Sequence, residues 1–370
     1  MKRLLLVTRN FPPLWGGMER LNQHLADELA LEYDVRLIAP EGAEAFSYRA
    51  RVVPVSLRPL SRFLLSAAWN TLREARRWKP EVVLAGSGLT APIALCAARY
   101  CGARAFAYTH GLDLTAAHPV YRAAWLPCFK WLDGIIANSR ATAGLAGKLG
   151  VRAERLQIVH PGVEIPALDS GARARFRSMH GLGNRPVLLS VGRLTTRKGL
   201  LEFVRDVLPR ITADRPDARL VVIGDAPTDS LHARVQTPEM IQTAALASGV
   251  AGNVVFLGRR FGRELADAYE AADVHVFPVR TLLNDPEGFG MVAIEAAAHG
   301  LPTVAYSSGG IVDAVAPGKS GLLVAPDDEE GFATSVTKLL AAPPDLAAIR
   351  GFAEGFAWDK FGSAIRASLA

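Results

Sequence analysis

The sequence predicts an α/β protein built from two doubly wound, Rossmann-like domains that face a deep cleft. Short apolar runs alternate with segments of helical period along nearly the whole chain, which is typical of parallel sheets covered by helices on both faces. Several apolar runs end in glycine-containing loops, as expected where strands meet a ligand crevice. A stretch rich in Pro, Gly, Ser and Arg interrupts this alternation near the middle, and 370 residues suffice for two cores.

The interruption sets the predicted domain boundaries. We expect an N-terminal domain over 1–165, a linker over 166–185, a C-terminal domain over 186–350 and a tail helix over 351–370 that packs back on the N-terminal domain. The strands expected in the first domain cover 4–8, 35–39, 52–55, 81–85, 105–109, 134–139 and 155–159, and its helices follow residue 17 and cover 58–79, 91–100 and 120–132. The second domain is expected to have strands over 187–191, 219–224, 253–257, 274–278, 302–306 and 318–324, with helices that include 200–211 and 291–299.

Composition describes a globular protein. Half of the residues are hydrophobic and 21% are charged, and no run reaches the ~18 to 20 apolar residues that a membrane-spanning helix needs. The apolar part of the N-terminus ends at Thr8, too early for an export signal, so we interpret it as a buried first strand. The cysteines at 96, 101 and 128 have no metal-type spacing and an odd count, which predicts reduced core residues in a cytoplasmic protein.

Positive charge is concentrated in the first half of the chain. Up to Glu164 there are 21 Lys and Arg against 13 Asp and Glu, a net charge of +8, whereas the remainder has a net charge of −2. The densest part, 58–79, holds six basic residues, one acid and two tryptophans. Two interpretations stay open for it: a helix that lies on an anionic membrane surface, or an amphipathic helix packed on the sheet with a solvated basic face. No recognition motif for nucleic acid accompanies the charge.

Two carboxylates eight residues apart mark the strongest candidate ligand site, in Glu287-Gly288-Phe289-Gly290-Met291-Val292-Ala293-Ile294-Glu295. The glycines allow the backbone to approach a ligand closely, and the free amides at the start of the helix that begins at Met291 point at whatever the loop holds. Glu295, in the second helical turn, is placed to accept hydrogen bonds from vicinal hydroxyls such as those of a ribose. Glu287 lies on the loop and can reach the other end of the same ligand.

A second motif supplies positive charge. Gly192, Arg193, Lys198 and Gly199 lie between a strand and a helix, and a guanidinium and an ammonium beside backbone amides suit a diphosphate. The chain has no GxxxxGK[ST] motif and no GxGxxG after its first strand, which argues against P-loop ATP hydrolysis and a nicotinamide enzyme. Together with Glu295, this motif predicts a nucleotide ligand on the second domain.

One histidine has the position of a site residue. His110 follows a strand of the first domain, between Thr109 and Gly111 and close to Asp113, so it is a candidate for contact with a sugar or an acceptor. No set of His, Asp and Glu has convincing metal-ligand spacing, and no GxSxG motif is present. The sequence itself therefore identifies no metal site.

These motifs carry a resemblance to a known family. Phe11-Pro-Pro-x-x-Gly16-Gly17, Thr109-His110-Gly111, Gly192-Arg193-x4-Lys198-Gly199 and Glu287-Gly-Phe-Gly-x4-Glu295 resemble the family 4 retaining glycosyltransferases of the GT-B fold, over nearly the whole chain. Within that family the sequence is most similar to bacterial GDP-mannose-dependent mannosyltransferases, because Pro278-Val-Arg280-Thr281 precedes the glutamate motif in a similar way. One departure is Ser308-Gly-Gly-Ile-Val-Asp313, where the family more often has Pro-Glu after the glycines.

The resemblance implies a role for each motif. It implies that Gly16 and Gly17 approach the donor phosphates or the acceptor, that Gly192, Arg193 and Lys198 hold the diphosphate, and that Glu295 binds the ribose. It implies that Glu287 and the Phe289, Gly290 and Met291 amides hold the donor sugar, that His110 contacts this sugar near the reacting carbon, and that no metal or other cofactor is needed. The implied catalytic set is His110, Arg193, Lys198 and Glu287, and Thr109 and Asp113 are candidates for acceptor binding.

The implied function is a metal-independent, retaining glycosyltransferase of the cytoplasm or the inner membrane face. It would transfer a mannosyl or related deoxyhexosyl unit to a glycan or lipid-linked acceptor, as in the synthesis of lipopolysaccharide, other cell-surface polysaccharides or glycolipids. A GDP-sugar is favoured as the donor, and a UDP-sugar is the alternative. Two further alternatives are a phosphorylase-like or epimerase-like protein of the same fold and a protein that binds a nucleotide sugar without turnover.

Overall fold

The chain folds into two compact units. The computed structural model describes residues 1–226 and 234–370. The first unit consists of Met1–Gly162 together with Trp358–Ala370, and the second of Val163–Ala357. Both ends of the chain therefore belong to the first unit.

The first unit is built on a seven-stranded parallel sheet with the order β3-β2-β1-β4-β5-β6-β7. Its strands are β1 (Lys2–Val7), β2 (Tyr33–Pro40), β3 (Arg51–Val55), β4 (Val82–Ala85), β5 (Arg104–Thr109), β6 (Gly134–Ala137) and β7 (Leu156–Ile158). The central strands are apolar on both faces, as a sheet covered on two sides requires, and Leu4, Leu5 and Leu6 of β1 have no exposed surface.

The second unit repeats this plan with a six-stranded parallel sheet of order β10-β9-β8-β11-β12-β13. Its strands are β8 (Val187–Val191), β9 (Arg219–Ile223), β10 (Val254–Gly258), β11 (Val274–Phe277), β12 (Thr303–Tyr306) and β13 (Gly321–Val324). The predicted fold class is confirmed, since each unit is a parallel α/β sheet in which strand order reverses next to the first strand of the unit.

Helices cover the sheets of both units. Those of the first unit are α1 (Gly17–Leu29), α2 (Leu60–Trp78), α3 (Ala91–Cys101), α4 (Leu112–Thr115) and α5 (Arg140–Lys148). Those of the second unit are α6 (Ala172–Met179), α7 (Leu200–Glu202), α8 (Leu208–Asp214), α9 (Pro238–Ala247), α10 (Gly262–Ala271), α11 (Met291–Ala298), α12 (Ile311–Ala314), α13 (Glu329–Ala341) and α14 (Leu346–Glu354). The last helix, α15 (Trp358–Leu369), belongs to the first unit, where the Arg366 guanidinium donates to the Glu28 carboxylate over 2.8 Å.

The segment predicted as a linker is in part a helix, which corrects that prediction. α6 lies within 166–185 and belongs to the second unit. Arg177 of α6 is 6% exposed and donates to the Asp273 carboxylate over 2.8 Å and to the Ala271 carbonyl over 2.9 Å. The helix was missed because Phe176 is its only large buried apolar residue, and arginine side chains supply much of the remaining attachment.

The helix predicted over 120–132 is also different in the structure. A π-helical turn, Tyr121–Trp125, is followed by a 3₁₀ segment, Leu126–Trp131. Pro127 has no amide hydrogen to continue an α-helical ladder, and the Trp125 indole donates to the Leu89 carbonyl over 2.8 Å. The backbone therefore follows side-chain anchors here rather than regular helical hydrogen bonds.

The cysteines are free thiols, but their predicted place in the core is wrong. Cys96 is exposed and Cys101 and Cys128 are half-buried. Cys96 lies on the outward side of α3, whose inward side is formed by alanines such as Ala94 and Ala97. Small side chains allow α3 to lie close to the sheet and leave the cysteine outside.

Candidate active site

The loop after β8, at the carboxyl end of the second sheet, combines a close approach of two backbone segments with two basic side chains. Gly192 directly follows the strand with φ +144°, and the backbone of Gly224, at the end of the neighbouring β9, lies so close that a Cβ there would be 1.8 Å from the Gly192 carbonyl oxygen. Only glycine fits such an approach. Arg193 then points into solvent, and a 3₁₀ turn, Thr196–Lys198, carries the lysine back towards the sheet.

Lys198 and Glu287 form a nearly buried ion pair. The lysine Nζ donates to the Glu287 Oε2 over 2.8 Å and lies 4.6 Å above the centre of the Phe277 ring. Burial is the main cause that lowers the pKa of Lys198, and Glu287 opposes this shift. Burial alone would raise the pKa of Glu287, but Arg197, Lys198 and Arg193 together lower it to about 2. The carboxylate is therefore ionised at neutral pH and fixed by a lysine that a ligand phosphate can also contact.

Arg197 also belongs to this cluster, although it occupies an unspecified position of the predicted motif. One of its Nη atoms donates to the Pro286 carbonyl over 2.9 Å and lies 3.7 Å from the Glu287 carboxylate, and its Nε lies 3.7 Å from the Asp285 carboxylate. The available signal was a second basic residue directly before Lys198. Because Arg197 binds the loop that carries Glu287, it connects the two motifs physically.

A pair of glycines supports the loop that carries Glu287. The Gly310 amide donates to the Glu287 carbonyl over 2.9 Å. A Cβ on Gly309 would lie 2.4 Å from that carbonyl oxygen, and one on Gly310 would lie 2.0 Å from the Gly288 carbonyl oxygen. The glycine turn before α12 is therefore the surface on which the Glu287–Gly288 backbone rests.

The next residues turn this loop into the start of α11. Gly290, with φ +94°, precedes the helix, and no side chain of the described residues caps it. Phe289 is 2% exposed, with its ring centre 5.7 Å from that of Phe356, so the aromatic side chain anchors the loop in the core. The first amides of α11, beginning with Met291, thus remain available at a helix N-terminus, which is a site that favours an anion or an electron-rich oxygen.

Glu295 belongs to a hydrogen-bonded group behind α11. The Tyr269 hydroxyl donates to the Glu295 Oε2 over 3.1 Å, and the Tyr269 ring stacks on His299 with centres 5.3 Å apart. His299 in turn is 3.1 Å from the Glu270 carboxylate. Tyr269, which lies outside all of the predicted motifs, therefore helps to orient the carboxylate that was predicted to bind a ribose.

His110 lies in the first unit, at the carboxyl end of β5. It is 8% exposed, and its Nε2 is 3.0 Å from the Gly86 carbonyl oxygen. Its amide donates to Asp113, whose carboxylate also accepts from the Gly88 amide over 2.9 Å. Through these hydrogen bonds the Asp113 carboxylate stabilises the loop after β5. Its contact with the acceptor substrate stays a prediction. Thr109 has no exposed surface, which argues against the acceptor contact predicted for it.

The glycine loop of the first unit is open to solvent. Gly16 and Gly17 are exposed, and α1 begins at Gly17 without a side-chain cap from the described residues. Asn10 fixes the loop from inside by donating to the Glu19 carboxylate over 2.8 Å. The predicted contact of these glycines with a ligand therefore has accessible backbone to support it.

The second unit thus offers cations, free amides and carboxylates at one sheet edge. Arg193 and Lys198 are near enough to each other and to Glu287 to influence its pKa, as the shift to about 2 indicates. Such a set can bind a diphosphate with its cations and hydroxyl groups with its carboxylates. Among residues 1–226 and 234–370, no group of three or more His, Cys, Asp or Glu side chains is arranged to hold a metal ion.

Two family descriptions match most of the chain. Residues 15–165 match "Glycosyltransferase Family 4", and residues 185–342 match "Glycosyl transferases group 1". The first match ends directly before the segment that was predicted as the linker, and the second begins at the last residue of that segment.

Some curated relatives match almost the full length of the chain. The chain is 33% identical to the GDP-mannose-dependent alpha-(1-6)-phosphatidylinositol monomannoside mannosyltransferase of Mycolicibacterium smegmatis, covering 94% of this chain and 91% of that protein. The enzyme of the same name from Mycobacterium tuberculosis H37Rv is 32% identical, with 92% and 89% covered. A D-inositol 3-phosphate glycosyltransferase of Segniliparus rotundus is 33% identical over 64% of this chain and 51% of that protein.

Solved structures share the fold. Anabaena HepE in complex with UDP superposes with a TM-score of 0.83 at 19% identity, covering 99% of both chains. The lipopolysaccharide outer core galactosyltransferase WaaB gives a TM-score of 0.74 at 16% identity, covering 99% of this chain and 98% of that one.

Proposed function

The chain belongs to the family 4 glycosyltransferases of the GT-B fold, and on this premise we propose that it transfers a mannosyl or related deoxyhexosyl unit from a GDP-sugar to a glycan or lipid-linked acceptor. Use of a nucleotide-sugar donor follows from the family itself. The choice of GDP and mannose rests on the names of relatives that are 32–33% identical over more than nine-tenths of the chain.

The observation that carries the proposal is the Lys198–Glu287 ion pair, which precedes the start of α11, where no side chain of the described residues caps the helix. In the proposed complex, Arg193 and Lys198 neutralise the donor diphosphate, and Glu295 accepts hydrogen bonds from the ribose hydroxyls. Glu287 and the Phe289–Met291 amides hold the sugar, which leaves the anomeric carbon accessible. His110, which follows β5, is the residue that the family resemblance implies near the reacting carbon, and this role stays a prediction.

We propose that the reaction retains the anomeric configuration and needs no metal. The diphosphate leaves on the face from which the acceptor hydroxyl arrives, and the leaving oxygen takes the acceptor's proton. The C–O bond to the phosphate breaks as the C–O bond to the acceptor forms. Arg193 and Lys198 stabilise the charge that develops on the leaving diphosphate, which is the function that a metal ion performs elsewhere. Isolation of a covalent glycosyl-enzyme would contradict this front-face route.

A UDP-sugar is the second candidate donor. Anabaena HepE, which shares the fold, was solved in complex with UDP. The diphosphate and ribose contacts proposed above do not involve the base. At 19% identity this similarity supports the fold but not the substrate, so GDP remains the proposed nucleotide.

Calorimetric titration of the purified protein with GDP and UDP, without metal and with EDTA present, tests the donor. We expect GDP to bind at least about tenfold more tightly than UDP, a difference of ~1.4 kcal/mol. Product formation from radiolabelled GDP-mannose then separates turnover from simple binding. Tighter UDP binding would replace the proposed donor, and binding of neither nucleotide would remove the proposed site.

We further propose that the outward face of α2 contacts an anionic membrane surface. Phe63, Ala67 and Thr71 point into the core, whereas Leu65 and Trp69 are 73% and 70% exposed on the opposite face. Exposed arginines flank these apolar side chains at positions 62, 73, 76 and 77. An amphipathic helix with a basic, tryptophan-bearing face is typical of interfacial binding. None of the helices in the described ranges is both long and apolar enough to cross a bilayer.

Replacement of Arg73, Arg76 and Arg77 by Gln is expected to weaken co-sedimentation with phosphatidylglycerol-containing vesicles by about a hundredfold, at ~1 kcal/mol for each charge. The matched control replaces the exposed basic residues Lys2, Arg51 and Arg122 by Gln. Equal vesicle binding by the two triple variants would mean that α2 has only a solvated basic face.

A further inference from the structure

A basic hollow lies in the first unit, at the end of the sheet where β6 and β7 begin. Its lining residues are Arg99, Lys130, Trp131, Gly150, Arg152 and Arg155, which we call the basic hollow, and its volume is about 380 Å³. Arg99 is near the end of α3, and the other lining residues precede β6 or β7. Because the strands are parallel and His110 follows the carboxyl end of β5, the hollow is at the opposite end of the sheet, ~16 Å away along a six-residue strand.

Two of the guanidinium groups are held in place by backbone carbonyls. Arg99 donates from Nη2 to the Trp131 carbonyl over 3.1 Å. Arg155 donates from Nη1 to the carbonyls of Lys130 and Leu132 over 3.2 and 3.1 Å. Each guanidinium has five N–H donors, so these bonds orient the groups and leave further donors for a ligand. A cation fixed in this way loses less conformational entropy when it binds an anion.

The charge of the hollow is not balanced by carboxylates. No lining residue is acidic, and within the described residues neither Lys130 nor Arg152 makes an ion pair. The nearest acids in sequence are Asp133, whose Oδ2 accepts from the Ala105 amide over 2.8 Å, and Glu154, which is exposed. Four cations around one concavity repel one another unless an anion lies between them, and the carboxyl-terminal ends of α3 and α5 at this edge offset only part of that repulsion.

We propose that the basic hollow binds a phosphate ester, with the charge held by Arg99, Lys130, Arg152 and Arg155. A volume of 380 Å³ accommodates a phosphate together with part of the organic group attached to it. Trp131, 64% exposed at the hollow, supplies an apolar ring for that group. The phosphate ester is either a small soluble molecule or the head group of a lipid, since both present the same anion.

Lys130→Glu/Arg152→Glu is the variant that tests this site. Neither side chain makes a hydrogen bond or ion pair to the described residues, so the fold should be retained, which thermal unfolding checks. Lys2→Glu/Arg51→Glu is the matched control, because it makes the same change in net charge at exposed positions of the same unit. Inorganic phosphate is titrated calorimetrically into wild type and both variants, and co-sedimentation is measured with vesicles of phosphatidylcholine that contain phosphatidic acid. The donor site is unaltered in all three proteins, so any difference among them is due to the exchanged residues.

We expect the hollow variant to bind phosphate at least about tenfold more weakly than the control, as loss of charge-assisted hydrogen bonds predicts. If the hollow variant binds vesicles as well as the control does, the ligand is a soluble phosphate ester. If the hollow variant binds both phosphate and vesicles more weakly than the control does, the ligand is a lipid head group. Equal phosphate and vesicle binding by wild type, hollow variant and control would overturn the proposal.

Discussion

Lys198→Ala is expected to lower kcat/KM for the donor by about 10² to 10³-fold, the loss typical of removing one group that stabilises charge in a transition state. The ammonium is nearly buried, donates to Glu287 over 2.8 Å and is proposed to face the leaving diphosphate. Its removal takes away a positive charge next to the leaving diphosphate oxygen, where negative charge develops in the transition state. Initial rates over a range of donor concentrations measure the effect.

The same variant is also expected to be less stable, because it leaves Glu287 buried with a weaker partner. Arg197 remains, but its Nη1 is 3.7 Å from the carboxylate. Breaking a buried ion pair from one side costs ~3 to 5 kcal/mol, so the melting temperature should fall. The double variant Lys198→Met/Glu287→Gln removes both charges and should recover stability without recovering turnover. Recovery of turnover in the double variant would show that Lys198 serves the fold rather than the reaction.

Arg193→Ala provides the companion measurement. Arg193 is exposed and makes no hydrogen bond or ion pair among the described residues, so its loss should leave the melting temperature unchanged. Turnover should fall by a similar factor, because the guanidinium is proposed to neutralise the leaving diphosphate. Lys338→Ala, at an exposed lysine on α13 of the same unit, is the control that should change neither quantity. Near-normal rates in both Arg193→Ala and Lys198→Ala would overturn the assignment of the diphosphate site.

The strands of both sheets could be predicted from the sequence because they are continuous apolar runs. The strand predicted over 187–191 is the strand of the structure, and the order of strands and helices was predicted along most of both units. α6 was missed because it has one large buried apolar residue, Phe176, too few for a helical period, and is otherwise held by bonds from Arg175 and Arg177 to Asp267 and Asp273. The α-helix predicted over 120–132 is interrupted at Pro127, a local signal that the prediction did not weigh. The bond from the Trp125 indole to the Leu89 carbonyl spans 36 residues, which no local pattern includes.

In the candidate active site, the sequence motifs identified Lys198, Glu287 and Glu295 but not the residues that these side chains contact. Spacing placed Lys198 and Glu287 in separate motifs, and only the structure shows that they share an ion pair with Arg197 beside them. Tyr269 is 26 residues from the glutamate that it contacts, and no local motif contains both. The same limit applies to Arg280, which the resemblance singled out. Its guanidinium donates to the Glu202 carboxylate over 2.7 Å, and Glu202 lies 78 residues away in the sequence.

The Ser308–Asp313 segment shows how a departure from a family pattern keeps its structural function. Ile311 follows the two glycines where a proline is more usual, and its side chain has no exposed surface. The glycines nevertheless remain, because both lie against the backbone of the Glu287 loop. This part of the motif is therefore a structural support, whatever acid follows it.

Gly310→Ala is expected to disrupt the donor site through this support. Its φ of −78° suits alanine, so the effect isolates a steric clash: the new Cβ would lie 2.0 Å from the Gly288 carbonyl oxygen and 2.8 Å from the Phe289 Cα. Both are backbone atoms, so the Glu287–Gly290 loop must move as a unit. Overpacking of this kind costs ~1 to 3 kcal/mol, and displacement of the loop by about 1 Å can lower turnover about 10²-fold.

Gly351→Ala is the control for that change, since a Cβ at this position of α14 meets no atom within 4 Å. It should leave activity unchanged and raise stability by about 0.5 to 1 kcal/mol, because alanine is the better helix former. For Gly310→Ala we expect a lower melting temperature together with weaker nucleotide binding in calorimetry, as the Glu287 carbonyl no longer accepts from the Gly310 amide at 2.9 Å. A variant with normal nucleotide affinity would mean that the loop adjusts independently of α12, and the glycine pair would then be a feature of the fold rather than of the donor site.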